Sequence, residues 1–241
     1  MKDTAATNGP WGNTKFLPKG MEILHEDNDI LVINKPSGLL TMGTDTEKIR
    51  TAFFALTNYV RKGAAKSTKR IFIVHRLDKE TSGILVFAKN EKAKLTLQSR
   101  WQETEKKYLA IVHGHCAKQA DTITTYLVEN KAHNVYTTSD PKKGRLAQTA
   151  YTVLKEITNF SLLKLTLLTG RKHQIRVHLA GIGHPIVGDK RYGKENDAQK
   201  YLALHALSIS FNHPINGREL MFQTNPPGHF RSLLGGWEWN Y

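Results

Sequence analysis

A chain of 241 residues with 39% hydrophobic content is long enough to bury one substantial core. Its Lys+Arg total of 35 against an Asp+Glu total of 21 leaves a formal net charge of +14, which suits a polyanionic partner, nucleic acid first among them. An acidic membrane surface is the competing partner, but it calls for a basic amphipathic helix or a lipidation signal, and neither stands out. No apolar run approaches the roughly 20 residues of a membrane span. Residues 1–20 lack the apolar core of a signal peptide, and a single cysteine, Cys116, excludes an internal disulfide framework. The expectation is a cytoplasmic protein with no membrane attachment.

In chain order, residues 1–20 read as a flexible N-terminal extension, polar and rich in Gly, Asn and Pro. Residues 21–34 carry two apolar pieces around Asp27-Asn28-Asp29, a hairpin signal. Lys35-Pro36-Ser37-Gly38 then turns the chain, since proline ends ladder pairing and glycine allows a tight bend. The spacing of Ile49, Phe53, Leu56 and Val60 predicts a helix over 47–62, followed by a basic connection over 63–70. Apolar runs at 71–74 and 84–88 have the content of buried strands. Residues 90–104 predict a helix capped by Asn90, and 106–114 a strand ending at a glycine. Shorter β-like runs fill 121–156; longer ones span 147–155 and 160–168, and a short helix is expected after Thr169-Gly170. Strands following strands with few helical crossovers indicate an α+β fold built on a mostly antiparallel mixed sheet.

The most informative stretch crosses between the strands at 71–74 and 84–88. It places an imidazole, a guanidinium, a carboxylate and then Thr-Ser-Gly on a connection fixed at both ends, where reactive groups tend to sit. Asp78 is the candidate, walled by Leu77 and Ile84 and close to Arg76. The plain alternative is a structural turn, because Asp, Thr, Ser and Gly also bond nearby backbone amides. No P-loop or dinucleotide fingerprint is present. His173 and His178 are five apart, off the spacing that stacks two ligands on one helix face, so no metal site is expected.

His75-Arg76-Leu77-Asp78-Lys79-Glu80-Thr81-Ser82-Gly83 resembles the HRLD-x-x-TSG signature of the RluA-type pseudouridine synthases. Asn34-Lys35-Pro36-Ser37-Gly38-Leu39 resembles that family's first motif, and the run from Lys106 to Gly114 its second, K-x-Y-x-A-x-V-x-G. Thr169-Gly170-Arg171-Lys172-His173-Gln174-Ile175-Arg176-Val177-His178, continuing into Gly183-His184-Pro185-Ile186-Val187-Gly188-Asp189, resembles its third. The resemblance implies the pseudouridine synthase fold over residues 21–230, with 231–241 as a C-terminal tail. It implies conversion of uridine in ribosomal or transfer RNA to pseudouridine, an isomerisation that requires no cofactor. The family's catalytic aspartate carries over to Asp78, its active-site tyrosine to Tyr108, and the arginine that pairs with the aspartate to Arg176. Arg76 carries over as the residue filling the space left by a flipped base. Lys35, Arg171, Lys172 and His173 are expected as further RNA-binding residues, and Lys66, Lys69, Arg70, Lys142, Lys143 and Arg191 as candidates for backbone phosphates. No obligatory protein partner is evident and a monomer is expected. Two rivals use the same residues differently: a hydrolytic nucleosidase or glycosidase, for which Glu80 is the only nearby second carboxylate, and a non-catalytic RNA-binding protein.

Overall fold

The computed structural model describes residues 16–236. Most of the expected extension over 1–20, and the expected tail from 237 onward, lie outside the described residues. In chain order the elements are β1 (Glu22–Glu26), β2 (Ile30–Lys35), α1 (Ala52–Val60), β3 (Phe72–Ile73), β4 (Ser82–Ala88), α2 (Glu91–Ser99) and β5 (Glu105–His113). They continue with β6 (Ala120–Glu129), β7 (Val135–Thr138), β8 (Arg145–Ile157), β9 (Phe160–Leu167), α3 (Gln174–Gly181), β10 (Leu204–Asn212), β11 (Glu219–Gln223) and α4 (Gly228–Leu233). This is the expected α+β class. The chain divides into two compact units: one runs to Thr104 and takes up Ala206–Asn225, the other comprises Glu105–His205 and the segment from Pro226. Among the described residues no helix is long and apolar enough to cross a membrane.

In the first unit β2 pairs antiparallel with β1 on one side and with β4 on the other. Ile30, Leu31, Val32 and Ile33 are fully buried, and so are all seven residues of β4. Covering a strand on both faces requires the unbroken apolar runs seen in the sequence rather than alternation. Ile84, Val86, Ala93, Leu97, Phe211 and Phe222 belong to one cluster of this core. The register sets Ile30 opposite Ala88 and Lys35 opposite Gly83. One end of the β2–β4 pair therefore carries the turn at 27–29, and the other carries the loops 36–41 and 75–81. The Asp27 carboxylate closes the first of these ends: Oδ1 accepts the amides of Asp29 and Ile30 at 2.7 and 2.8 Å, and Oδ2 lies 3.0 Å from Nε2 of both His25 and His213.

Both helices of this unit are shorter than apolar spacing predicts, because capping decides where they begin and packing where they end. Thr51 Oγ1 accepts Phe54 N at 3.0 Å, so α1 begins at Ala52 rather than near Glu47. Ahead of it, the Glu47 carboxylate accepts Ile49 N and Arg50 N in a turn, and Ile49 is left 63% exposed. Asn90 caps α2 as expected, accepting Ala93 N at 2.9 Å, but the helix closes at Ser99. Trp101, past its end, lies with its ring centroid 4.5 Å from that of His75.

In the second unit the strand order is β5-β9-β8-β6-β7, with each adjacent pair antiparallel. Leu109, Ala110, Ile111, Leu162, Leu163 and Leu165 form its buried interior. Helix α3 packs on β6, β7 and β8, with Val177 against Leu127, Val135 and Ala147.

Gly83 shows why a glycine follows Thr81-Ser82. Its φ is +110°, and a Cβ there would stand 2.3 Å from the carbonyl oxygen of Ala206. Neither the backbone angle nor the contact tolerates a side chain. Gly83→Ala is expected to destabilise the fold by about 3 kcal/mol or more, combining left-handed strain with overpacking. Denaturant unfolding measures this, and an unchanged midpoint would contradict the close approach.

Candidate active site

The loop carrying Asp78 is fastened to the loop that follows β2. Thr41 Oγ1 donates to Leu77 O at 2.8 Å and accepts Leu77 N at 3.2 Å. Gly38 N donates to Lys79 O at 2.8 Å, and Ser37 Oγ donates to Glu80 O at 2.6 Å. The residues on both sides of Asp78 are thus held by a second loop, while Asp78 O closes its own turn by accepting Thr81 N at 3.2 Å. His75 Nε2 accepts Val86 N at 3.1 Å, so that nitrogen carries no proton and the imidazole serves to anchor the loop to β4. Asp78 itself is half-buried and Arg76 is exposed, with its Nη1 against Met42 Sδ at 3.8 Å. A backbone fixed on both flanks leaves only two side-chain torsions to place the carboxylate.

Lys35 completes this fastening and corrects a sequence expectation. It was expected to touch RNA, yet it is fully buried. Its Nζ donates to Leu39 O at 2.8 Å, Pro36 O at 3.0 Å and Lys79 O at 3.2 Å. The three protons of an ammonium thus meet three carbonyls. Burial pulls its pKa down to about 7, against the opposing pull of Glu80 and Asp78. A side chain so enclosed has no surface to offer a phosphate; it ties the two loops together from inside.

In the second unit the stretch around α3 forms a buried polar block. His173 precedes the helix with φ +53°, and its Nδ1 lies 2.8 Å from the Tyr192 hydroxyl, which also accepts Val135 N. Gln174 is fully engaged: Oε1 accepts Thr169 Oγ1 and Arg171 N, while Nε2 donates to Gln148 O and Thr149 Oγ1. Arg176, 5% exposed, makes a bidentate pair with Asp189, Nε to Oδ2 and Nη2 to Oδ1, both at 2.8 Å. Its guanidinium carbon stands 5.3 Å from the centroid of the Tyr192 ring. Burial alone would raise the pKa of Asp189, but Arg176 and the amides of Tyr192 and Arg191 outweigh it and hold the carboxyl below its usual range. His178 lies between Thr125 and Thr149, its ring nitrogens 2.9 Å from each hydroxyl, and burial pushes its pKa down to about 4.

The remaining expected residues fall as follows. Tyr108 is buried on β5 opposite Leu165. Arg171 Nε donates to Leu146 O at 3.1 Å, and Lys172 Nζ pairs with Glu129 at 2.5 Å, each side chain half-buried. Asp78, Arg76 and Lys35 thus belong to the interlocked loops of the first unit. Tyr108, Arg171, Lys172, His173 and Arg176 belong to the second. Among the described residues one group, Asp27, Asp29 and His213, has ligand atoms within 4.8 Å of one another, but Asp27 there is taken up by turn amides and imidazoles. Two supporting residues, one in each unit, were missed from sequence. Asp189 stands in the quoted third motif, which could have revealed it as the partner of Arg176. Thr41 has no local signal, because its partner is 36 residues away.

A family profile described as RNA pseudouridylate synthase matches residues 29–181. An uncharacterized RNA pseudouridine synthase of Aquifex aeolicus is 37% identical over 231 residues, covering 88% of this chain and 72% of that one. Ribosomal large subunit pseudouridine synthase C of Buchnera aphidicola subsp. Schizaphis graminum is 36% identical, covering 88% of this chain and 69% of that one. Among solved structures, human RNA pseudouridylate synthase domain containing 4 superposes with a TM-score of 0.72 at 28% identity, covering 89% of this chain and 92% of that one. These matches set aside the hydrolase and the non-catalytic readings: the chain belongs to the RNA pseudouridine synthase family, enzymes that isomerise uridine within RNA.

Proposed function

We propose that this chain converts uridine to pseudouridine in large-subunit ribosomal RNA, with Asp78 as the reacting carboxylate. The observation that carries the reading is the fastening of the Asp78 loop from both flanks by Thr41, Gly38, Ser37 and Lys35. A loop with only a turn to make does not need a second loop to hold it, whereas a group acting on one carbon of a nucleoside does. The target class is supported by the names of the relatives, several of which are ribosomal large subunit synthases.

The reaction breaks the N1–C1′ glycosidic bond, turns the uracil, joins C5 to C1′ and moves the C5 proton off the base while N1 gains one. Substrate and product are isomers, so the balance closes without an oxidant or a second substrate. Asp78 acts in its ionised form, either attacking C1′ or removing the C2′ proton. Arg176 is the residue that the family's third motif assigns as its guanidinium partner. In support, Asp189 grips the Nε–Nη2 edge of Arg176 and fixes the plane of the group; a guanidinium held this way presents its Nη1–Nη2 edge to a second carboxylate. Tyr108 is the aromatic platform for the displaced uracil. Arg76, exposed on the Asp78 loop, fills the space left when the uridine swings out of its stack, an extrusion costing a few kcal/mol.

Asp78→Asn is expected to lower isomerisation by about three orders of magnitude or more while RNA affinity stays near wild type. Release of the C5 proton from labelled RNA measures the first and equilibrium binding the second; turnover at the wild-type rate would refute the assignment. Arg176→Lys keeps the charge but loses the two-pronged geometry, so kcat should fall about a hundredfold. A melting scan separates that loss from damage to the Asp189 pair, and full activity would detach Arg176 from the chemistry. Pseudouridine mapping of total RNA from cells with and without the gene tests the target: a site lost from transfer RNA alone would overturn the ribosomal reading.

A further inference from the structure

The end of β4 away from Asp78 opens, beside Lys89, on a cavity of about 580 Å³ that the chemistry above does not use. Its lining includes Phe16, Tyr59, Lys62, Lys69 and Arg70 together with Glu26 and Lys89. The single carboxylate is internally committed. Glu26 Oε1 pairs with Lys89 Nζ at 2.7 Å, and Oε2 accepts the Tyr59 hydroxyl at 2.9 Å. That pair sums to zero, whereas Lys62, Lys69 and Arg70 are exposed and pair with no carboxylate among the described residues. Three positive charges therefore stand around a concave space without an internal counter-charge.

The frame that presents them is ordered. Lys62 sits just past the end of α1 with φ +52°, ahead of Gly63, over which the Phe16 ring packs. Arg61 Nε donates to Lys69 O at 3.0 Å and pins the connection that carries the second cation. The Arg70 guanidinium lies 5.0 Å from the centroid of Phe72 on β3. The stretch that reads in sequence as a basic connection is thus folded back as a wall of the cavity. A space of several hundred Å³ with cations on its rim and aromatic rings in its lining accommodates a nucleotide and its flanking phosphates. A planar lipid surface fits it poorly, because concave cations cannot meet a flat array of headgroups and no apolar face projects beside them.

We propose that this basin holds the sugar-phosphate backbone of the same RNA at a point remote from the uridine being isomerised. The inference rests on the reading of the substrate as RNA, and adds where else that RNA is gripped. From Ser82 to Lys89 is seven residue steps of extended strand, or about 23 Å at ~3.3 Å each. That span corresponds to roughly seven nucleotides at ~3.4 Å per strand step. The basin would therefore distinguish a uridine embedded in a larger folded RNA from the same uridine in a minimal hairpin, through reach rather than base reading.

The test uses the full chain with Lys62→Ala/Lys69→Ala and, separately, Lys69→Glu, each checked for an unchanged melting temperature. Three probes are compared: large-subunit ribosomal RNA transcribed in vitro, a hairpin extending fewer than about seven nucleotides from the uridine, and vesicles containing phosphatidylserine. On the long RNA the double variant should bind about tenfold more weakly at low salt, with a log affinity against log salt slope shallower by about two. Binding to the hairpin, and turnover at saturating RNA, should be unchanged. Wild-type affinity and slope on the long RNA would overturn the proposal, as would an equal loss on both RNA probes. So would a loss confined to vesicles containing phosphatidylserine, which would assign the basin to an anionic membrane. Isomerisation by the wild-type chain is assayed in parallel: an inactive chain fails the functional reading, whereas an active one whose variants bind normally fails this inference alone.

Discussion

Everything at the Asp78 end of the first unit depends on one set of hydrogen bonds, those joining residues 35–41 to residues 77–80. Carbonyls in a tight crossing cannot reach partners in a ladder, and each one shielded from water without a donor costs free energy comparable to a lost bond. Thr41, Gly38, Ser37 and Lys35 supply those donors from a loop that lies far away in sequence. The buried ammonium of Lys35 is the extreme case. A charge taken out of water is tolerated only when its protons are met, and here three carbonyls meet them. The consequence is positional: the main chain on either side of Asp78 cannot shift without breaking several of these bonds together.

The second unit applies the same physics to a helix terminus. His173 just ahead of α3, and Gln174, Arg176 and His178 on its first turns, each find a partner: a phenol, two threonines and a glutamine carbonyl, a carboxylate, two hydroxyls. Buried polar networks rigidify a structure when every member is satisfied. Much of what looks in sequence like a list of reactive groups is therefore scaffolding. His178, held neutral by burial, and Gln174, saturated with bonds, fix the helix on which Arg176 is mounted, and Asp189 fixes the guanidinium itself.

The charge of the chain is distributed less simply than its total suggests. Lys35 is internal, Lys172 is paired with Glu129, Lys89 with Glu26, and Arg176 with Asp189. A net charge of +14 does not say which cations face a polyanion. Burial and local carboxylates remove several from the count, and the exposed ones gather where the fold turns them outward, as at Arg76 and around Lys62, Lys69 and Arg70.

Sequence alone determined the central strands of the first unit, because a strand buried on both faces reads as an apolar run, as residues 30–33 of β2 and 84–88 of β4 do. It located the Asp27 turn and the Asn90 cap, whose chemistry is local, and the motif resemblance pointed to the reaction. It mistook the limits of both helices in the first unit, since apolar spacing continues past the residues that cap or pack. It placed Lys35 on the surface and left out Thr41 and Asp189 as supports. Those errors share a cause. Whether the Lys35 ammonium is closed off by the Lys79 carbonyl, whether Thr41 braces Leu77, and whether an arginine is already held by a carboxylate depend on contacts between residues 13 to 44 positions apart. Such pairings exist only once the chain has folded back on itself, and tertiary structure alone decides them.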